Sequence, residues 1–184
     1  MEPSKISEIY SLNRSTYINL RWIGILGQLI TINSVKFIFG FDFDFILANI
    51  IIFIGAISNI FLIYNYKKIQ LSNTSALNFL LIDIIQLSSL LYLTGGVVNP
   101  FSIFLLIPSV FASSNLKIKT NFFLILVTLI SIIFLTFFSL DLPKPLNDHF
   151  HVSSYYYYAI PTGLIIALLF LNFFALLFGK ESNL

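Results

Sequence analysis

Six long apolar runs, separated by short polar segments, constrain this chain more than any other feature. A helix needs about 20 predominantly apolar residues to cross the hydrocarbon core of a bilayer, and most of the runs reach that length. Only 10% of the residues are charged, whereas about 25% is usual in a soluble domain. We therefore predict an all-α membrane protein. The predicted spans cover about residues 18–39, 45–64, 76–94, 100–114, 121–140 and 157–178.

The runs follow one another without a linker long enough to separate domains. We expect residues 17–178 to form one six-helix bundle, preceded by a polar tail at residues 1–16 and followed by a short extension at residues 179–184. The fourth run is the shortest and contains Pro108, so we predict a kink in it.

The basic residues orient the predicted bundle. Cytoplasmic loops of membrane proteins carry an excess of Lys and Arg. With both termini in the cytoplasm, eight of the ten basic residues lie on that side, and only Lys36 and Lys144 lie outside. The eight are Lys5, Arg14, Arg21, Lys67, Lys68, Lys117, Lys119 and Lys180. Arg21 is expected to extend from the start of the first span toward the membrane surface.

Several functions receive no support from the composition. The chain has no cysteine, which excludes disulfides and thiolate metal sites. A net charge of +2 gives no argument for nucleic acid as a partner. His149 and His151 form an HxH pair on the longest outer loop, but two histidines make a weak metal signal, and we predict no metal site. The chain contains no serine-hydrolase, zinc-protease or P-loop motif.

The segment between the third and fourth runs reads TGGVVNPF, from Thr94 to Phe101. Two glycines can end a helix because glycine adopts left-handed backbone angles without strain. Asn99 is a good N-cap, and Pro100 suits the first position of the next helix. The segment therefore predicts a tight helix–turn–helix on the outer, periplasmic side.

The turn could be a plain connection, or it could bind a ligand at the lipid–water boundary. Gly95 and Gly96 would let a flat molecule approach the backbone. Asn99 offers a donor and an acceptor, and Phe101 offers a ring for stacking. Free N–H groups at the start of the fourth helix would favour a carbonyl oxygen. A membrane-dissolved quinone has the chemistry that matches these features.

Asp83 is the second candidate, because a carboxylate inside a span is costly and usually faces the bundle interior. It could handle a proton or ligand within a polar relay, or simply hold helices together through Gln28, Gln86 or an Asn of the second span. The relay candidates are Asp83, Gln86, Gln28 and Thr94. Asp83 precedes Gly95 by 12 residues, about 18 Å along a helix, so it cannot touch a ligand at the turn directly.

Two stretches resemble a known family. Residues Leu80–Leu87 read LLIDIIQL, and Leu90–Phe101 read LLYLTGGVVNPF. Together they resemble the membrane domain of the RegB/PrrB (ActS-type) redox-sensing histidine kinases, whose signature is GGxxNPF between the third and fourth of six spans. Arg21-Trp22 followed by Gly27-Gln28 is similar to the family's first span. The resemblance extends from about residue 14 to the end of the chain.

The resemblance implies a multi-pass sensor in the bacterial inner membrane, part of a two-component system. Such a sensor follows the redox state of ubiquinone, or of another membrane quinone, and controls a kinase module and its response regulator. We also expect a homodimer in contact with membrane lipid, and no nucleic acid as a partner. Carried over by position, the quinone-site candidates are Gly95, Gly96, Asn99, Pro100 and Phe101.

The chain departs from the family in stopping at Leu184. It lacks the phospho-accepting histidine region, the ATP-binding domain and the cytoplasmic redox cysteine of the family. We therefore expect no catalysis from this chain alone, and interpret it as a fragment of a longer protein or as a stand-alone relative that acts through a partner.

Two other functions stay open on the sequence. A small proton-coupled membrane transporter could use Asp83, and an assembly partner would need no ligand. In the sensor hypothesis, quinone biases the packing of the third and fourth helices, with Pro108 as a flexible point, and the sixth helix carries the signal inward.

Overall fold

Six α-helices make up most of the chain in the computed structural model, which describes residues 12–145 and 154–181. They are α1 (Arg14–Phe37), α2 (Phe45–Asn65), α3 (Asn73–Leu93), α4 (Ile107–Asn115), α5 (Ile118–Phe138) and α6 (Ser154–Glu181). Two 3₁₀ helices connect α3 to α4, namely η1 (Gly96–Val98) and η2 (Pro100–Leu106). The predicted all-α class agrees with this architecture.

Side-chain caps fix where the first three helices begin. The side-chain oxygen of Asn13 accepts a hydrogen bond from the backbone N–H of Thr16 at 3.2 Å, at the start of α1. Asp44 caps α2 in the same way, and Ser72 caps α3. Each cap satisfies an N–H that has no partner inside its helix.

Four of the described helices are long and apolar enough to cross a membrane: α2, α3, α5 and the Tyr158–Leu177 part of α6. These four support a membrane protein. Helix α1 is long enough to span, but several polar side chains interrupt its apolar run. The prediction of six spans therefore has direct support for four helices, and α1 and the fourth segment stay predictions.

The fourth segment differs from the predicted kinked α-helix. It starts with seven residues of 3₁₀ helix in η2, and Pro108 lies in the first turn of α4, where a missing N–H is tolerated. A 3₁₀ helix rises about 2.0 Å per residue, whereas an α-helix rises about 1.5 Å. Residues 100–115 therefore extend about 27 Å by these rises, close to the roughly 30 Å of a bilayer core.

Two short antiparallel ribbons mark opposite ends of the bundle. Strand β1 (Leu12–Asn13) pairs with β3 (Gln70–Leu71), just before α1 and α3 begin. Strand β2 (Phe41–Asp42) pairs with β4 (Lys144–Pro145), in the connections that lead to α2 and α6. We refer to these as the first and second ends. Consecutive segments thus run in opposite directions between the two ends.

Charged residues separate between these ends. The segments at the first end contain Arg14, Lys67, Lys68, Lys117 and Lys119. The segments at the second end contain Asp42, Asp44 and Asp141, with Lys36 and Lys144. This grouping follows the pattern read from the sequence. That the first end and both termini face the cytoplasm stays a prediction.

Helix α3 has the most deeply buried face of the bundle. Phe79, Leu80, Ile84 and Leu91 are buried there, and α3 packs against α2, α4 and α5. Helix α6 packs against α4 and α5 on the far side, and α1 packs against α2. The apolar side chains that remain exposed on α2, α5 and α6 suit contact with lipid.

Because the chain has no cysteine, single cysteines can report which side of the membrane each end faces. We expect a membrane-impermeant maleimide to label Asp141→Cys in intact cells. We expect it to label Lys68→Cys and Lys119→Cys only after the membrane is permeabilised, because the basic end should be cytoplasmic. Labelling of all three variants from outside would contradict the predicted topology.

Candidate functional site

The turn after α3 has the backbone that its sequence predicts. Helix α3 ends at Leu93, and Gly95 and Gly96 follow with φ angles of +102° and +58°. Side chains disfavour such angles, which explains the two glycines. The side-chain oxygen of Asn99 accepts a hydrogen bond from the N–H of Phe101 at 2.9 Å and so caps η2. The predicted helix–turn–helix is confirmed here, with a 3₁₀ helix following the turn.

Gly95 and Gly96 are buried against the end of α5 and the chain that follows it. A Cβ at Gly95 would lie 2.6 Å from the Cδ1 of Leu142, and a Cβ at Gly96 would lie 2.5 Å from the carbonyl oxygen of Leu135. Such distances are below any real contact, so the close approach that glycine permits is already used by the protein itself. Contact of Gly95 and Gly96 with a flat ligand stays a prediction.

Asn99 is committed to holding the turn. Its amide nitrogen donates to the carbonyl oxygen and to the hydroxyl oxygen of Thr94, each at 2.9 Å. Its own carbonyl oxygen accepts from the N–H of Ser102 at 2.9 Å. The first N–H groups of η2 therefore have partners, and Pro100 has none to offer. The predicted free N–H groups are absent from the start of η2, and the hydrogen bonds of Asn99 hold the shape of the turn.

A groove of about 420 Å³ lies between the turn and α6. This volume falls within the range of small-molecule sites, about 300–1,000 Å³. The turn and η2 contribute Val97, Val98, Asn99, Pro100, Ser102 and Ile103, and α6 contributes Ile160, Gly163 and Leu164. The lining is largely apolar, so the groove suits the flat faces of a lipid-soluble molecule.

The predicted quinone residues divide into two groups around this groove. Asn99 and Pro100 line it. Gly95 and Gly96 lie buried behind it, and Phe101 stacks on Phe104 with ring centroids 6.0 Å apart. The contribution of α6 to the groove was not predicted from the sequence. The interruption of the sixth apolar run by Pro161 and Gly163 could have indicated it.

Asp83 forms an ion pair with Arg21 in the interior of the bundle. The Nε and Nη2 atoms of Arg21 both lie 2.8 Å from Oδ1 of Asp83. The hydroxyl of Tyr17 donates to Oδ2 at 2.5 Å. Both carboxylate oxygens are thus held by α1, which explains how a charge is accommodated at this depth.

Arg21 also joins α1 to α2. Its Nη2 donates to the hydroxyl of Ser58 at 2.5 Å, and its guanidinium lies 5.6 Å from the ring centroids of Tyr17 and Phe79. Arg21 is only 7% exposed, so the expectation that it extends to the membrane surface is wrong. The counter-charge of Asp83 on α3 makes the interior the favourable position.

Gln28 and Gln86 form a separate contact between α1 and α3, with Nε2 of Gln86 donating to Oε1 of Gln28 at 2.7 Å. Thr94 bonds to the carbonyl of Leu90 and to Asn99. Among the residues that the structure describes, no hydrogen bond connects either set to Asp83. The predicted relay residues therefore form three separate contacts, and Asp83 holds helices together through partners other than the predicted ones.

No group of three or more metal-ligating side chains is present in residues 12–145 and 154–181. His149 and His151 lie outside the described residues.

The chain is 28% identical over 161 residues to the sensor histidine kinase RegB of Cereibacter sphaeroides. The similarity supports a membrane sensor domain of the RegB family. It covers 87% of this chain and 35% of RegB, so the chain spans about a third of that protein's length. No family model matches the chain, and no solved structure matches it. The predicted resemblance to the membrane domain of this family is confirmed at this level, and the quinone role of the GGxxNPF motif stays a prediction.

Replacing Gly96 by alanine should destabilise the protein strongly, because the added Cβ would collide with Leu135 and the backbone angle would be strained. Gly40→Ala is the matched control, since Gly40 has φ +65° but nothing within 4 Å of an added Cβ. Thermal unfolding in detergent should show a much larger fall for Gly96→Ala than for Gly40→Ala. Equal falls would show that the close approach of α5 to the turn contributes nothing.

Breaking the ion pair should cost more than removing both charges. Arg21→Gln and Asp83→Asn each leave an uncompensated buried group, at a cost of about 3–5 kcal/mol. The double variant should be clearly more stable than the sum of the two losses predicts. Lys36→Gln is the control, because the Lys36–Asp42 pair at 3.4 Å is exposed and worth about 0–1 kcal/mol. Additive losses would contradict direct coupling of Arg21 and Asp83.

Proposed function

We propose that this chain is the membrane sensor domain of a two-component histidine kinase and that it detects the redox state of membrane quinone, in the first instance ubiquinone. The observation that carries the proposal is the 420 Å³ groove formed beside the GGxxNPF turn. The similarity to a protein named as a sensor histidine kinase supports the signalling role. The quinone and its redox chemistry come from the turn and from the family resemblance.

The groove suits a ring that enters from the lipid. Its walls offer Val97, Val98 and Ile103 to the faces of the ring. Asn99 stands at the polar side, and its Oδ1 accepts one hydrogen bond from Phe101. A carbonyl-type oxygen has two lone pairs, so Oδ1 retains capacity for a hydroxyl of the reduced ligand. Binding would alter the packing of the turn against α6.

The quinone acts as a ligand that shifts a conformational equilibrium. A ligand shifts such an equilibrium only through its differential affinity for the two states. The oxidised and the reduced quinone must therefore differ in their relative affinity for the two arrangements of the turn and α6. Helix α6 ends at the first end, which is the predicted cytoplasmic side. A kinase module and a response regulator would act downstream, and the predicted homodimer would place two α6 helices together.

The alternative of a proton-coupled transporter gains no support from Asp83. Both of its carboxylate oxygens are bonded, one to Arg21 and one to Tyr17. A residue that carries protons through a transport cycle needs to exchange partners, whereas these contacts fix α1 to α3. We therefore propose a structural role for Asp83.

Equilibrium binding tests the proposed function. Purified protein in nanodiscs should bind a short-chain ubiquinone saturably, and the oxidised and reduced forms should bind with different affinities. Asn99→Ala should weaken binding at least tenfold, because the turn loses its cap and its contacts with Thr94. Asn33→Ala is the control, since Asn33 contacts Leu29 and Asn49 outside the groove. Non-saturable partitioning that is equal in all three proteins would refute a quinone site at the turn.

A further inference from the structure

We infer that α6 forms a functional wall of the quinone groove and that Gly163 determines whether a ring can enter. The inference rests on the proposed function and extends it from the turn to the last helix. In this inference the ligand contacts α6 directly. Its effect therefore reaches α6 without Asp83 and without a hydrogen-bonded relay.

Three residues of α6 face the turn. Ile160, Gly163 and Leu164 follow the i, i+3, i+4 spacing that places side chains on one face of a helix. Leu164 is buried and Ile160 is half-buried, whereas Gly163 is open to the groove. The turn supplies the opposite wall through Val97, Val98 and Ile103. The missing side chain at position 163 therefore widens the groove between Ile160 and Leu164.

Gly163 has no structural need to be glycine. Its φ is not positive, and a Cβ added there would have nothing within 4 Å. Glycine in a helix interior costs about 1 kcal/mol relative to alanine. This is the reverse of Gly95 and Gly96, where backbone angle and packing both demand glycine. At Gly163 the absence of a side chain leaves space in the groove.

The same stretch of α6 contains the residues at which a helix bends most readily. Pro161 lies inside the helix and has no N–H, so the carbonyl of residue 157 lacks its usual helical partner. Helices bend at proline and at glycine, and here the two are two residues apart. A ring in the groove would thus press on this stretch of α6.

Further along, α6 is anchored to α4. The amide nitrogen of Asn172 donates to the Ser109 hydroxyl at 3.3 Å and to the Leu168 carbonyl at 2.8 Å. Ser113 also bonds to Asn172, and Asn172 is only 2% exposed. The helix therefore has a deformable segment at the groove and a fixed point beyond it. A ligand in the groove would change the angle of α6 relative to α4 at Asn172.

Filling the groove tests the inference. Gly163→Leu should weaken binding of the short-chain ubiquinone at least tenfold, which corresponds to about 1.4 kcal/mol, while thermal stability stays at or above that of wild type. Gly163→Ala adds a single carbon and improves the helix, so it should cause a smaller loss in the same direction without risk of misfolding. Gly24→Leu is the matched control, because Gly24 also has open space around it but lies on α1.

The outcomes separate this inference from the proposed function. If Gly163→Leu and Gly163→Ala bind within twofold of wild type while Asn99→Ala binds weakly, the ligand contacts the turn but not α6. The inference then fails and the proposed function stands. If Gly24→Leu weakens binding as much as Gly163→Leu, the wall is not at Gly163. If wild type shows no saturable binding, both proposals fail.

Discussion

The ion pair between Arg21 and Asp83 connects the first three helices inside a membrane bundle, where water does not solvate charged groups. A charge at mid-span is tolerated only with a counter-charge and further hydrogen bonds, and here Tyr17 and Ser58 provide them. The pair explains why α1 can carry polar residues and still pack in an apolar bundle. It also fixes the rotation of α1 and α3 about their axes. The orientation of α3 in turn sets the position of the turn at its end.

The long apolar runs and the turn chemistry were predictable from the sequence. Helix α3 ends at Leu93, next to two glycines, because glycine readily adopts the backbone angles that end a helix. Asn99 caps the next helix because Asn is a preferred N-cap residue. The partner of Asp83 was not predictable, because Arg21 at the start of a span satisfies the pattern of an interfacial residue equally well. Local sequence gives the depth of a residue along a helix, but the facing helix decides its partner.

The residues of the turn motif divide between shaping the turn and lining the groove. Gly95 and Gly96 pack against the end of α5 and the chain after it, and Asn99 ties the turn to Thr94. The two glycines lie behind the groove, whereas Asn99 both shapes the turn and lines the groove beside α6. Spacing within one segment could not reveal that wall, because it comes from a helix some sixty residues further along the chain.

The stretched geometry of η2 affects how the bundle fits the membrane. With 16 residues from Pro100 to Asn115, the fourth segment would reach across the core, as predicted, only because its 3₁₀ part rises farther per residue than an α-helix. It has no surplus length with which to tilt, as a long span does when a bilayer is thin. A spanning fourth segment would therefore hold the turn at the edge of the hydrocarbon layer instead of letting it project into water. A molecule dissolved among the acyl chains could then reach the turn by lateral diffusion, without leaving the lipid phase.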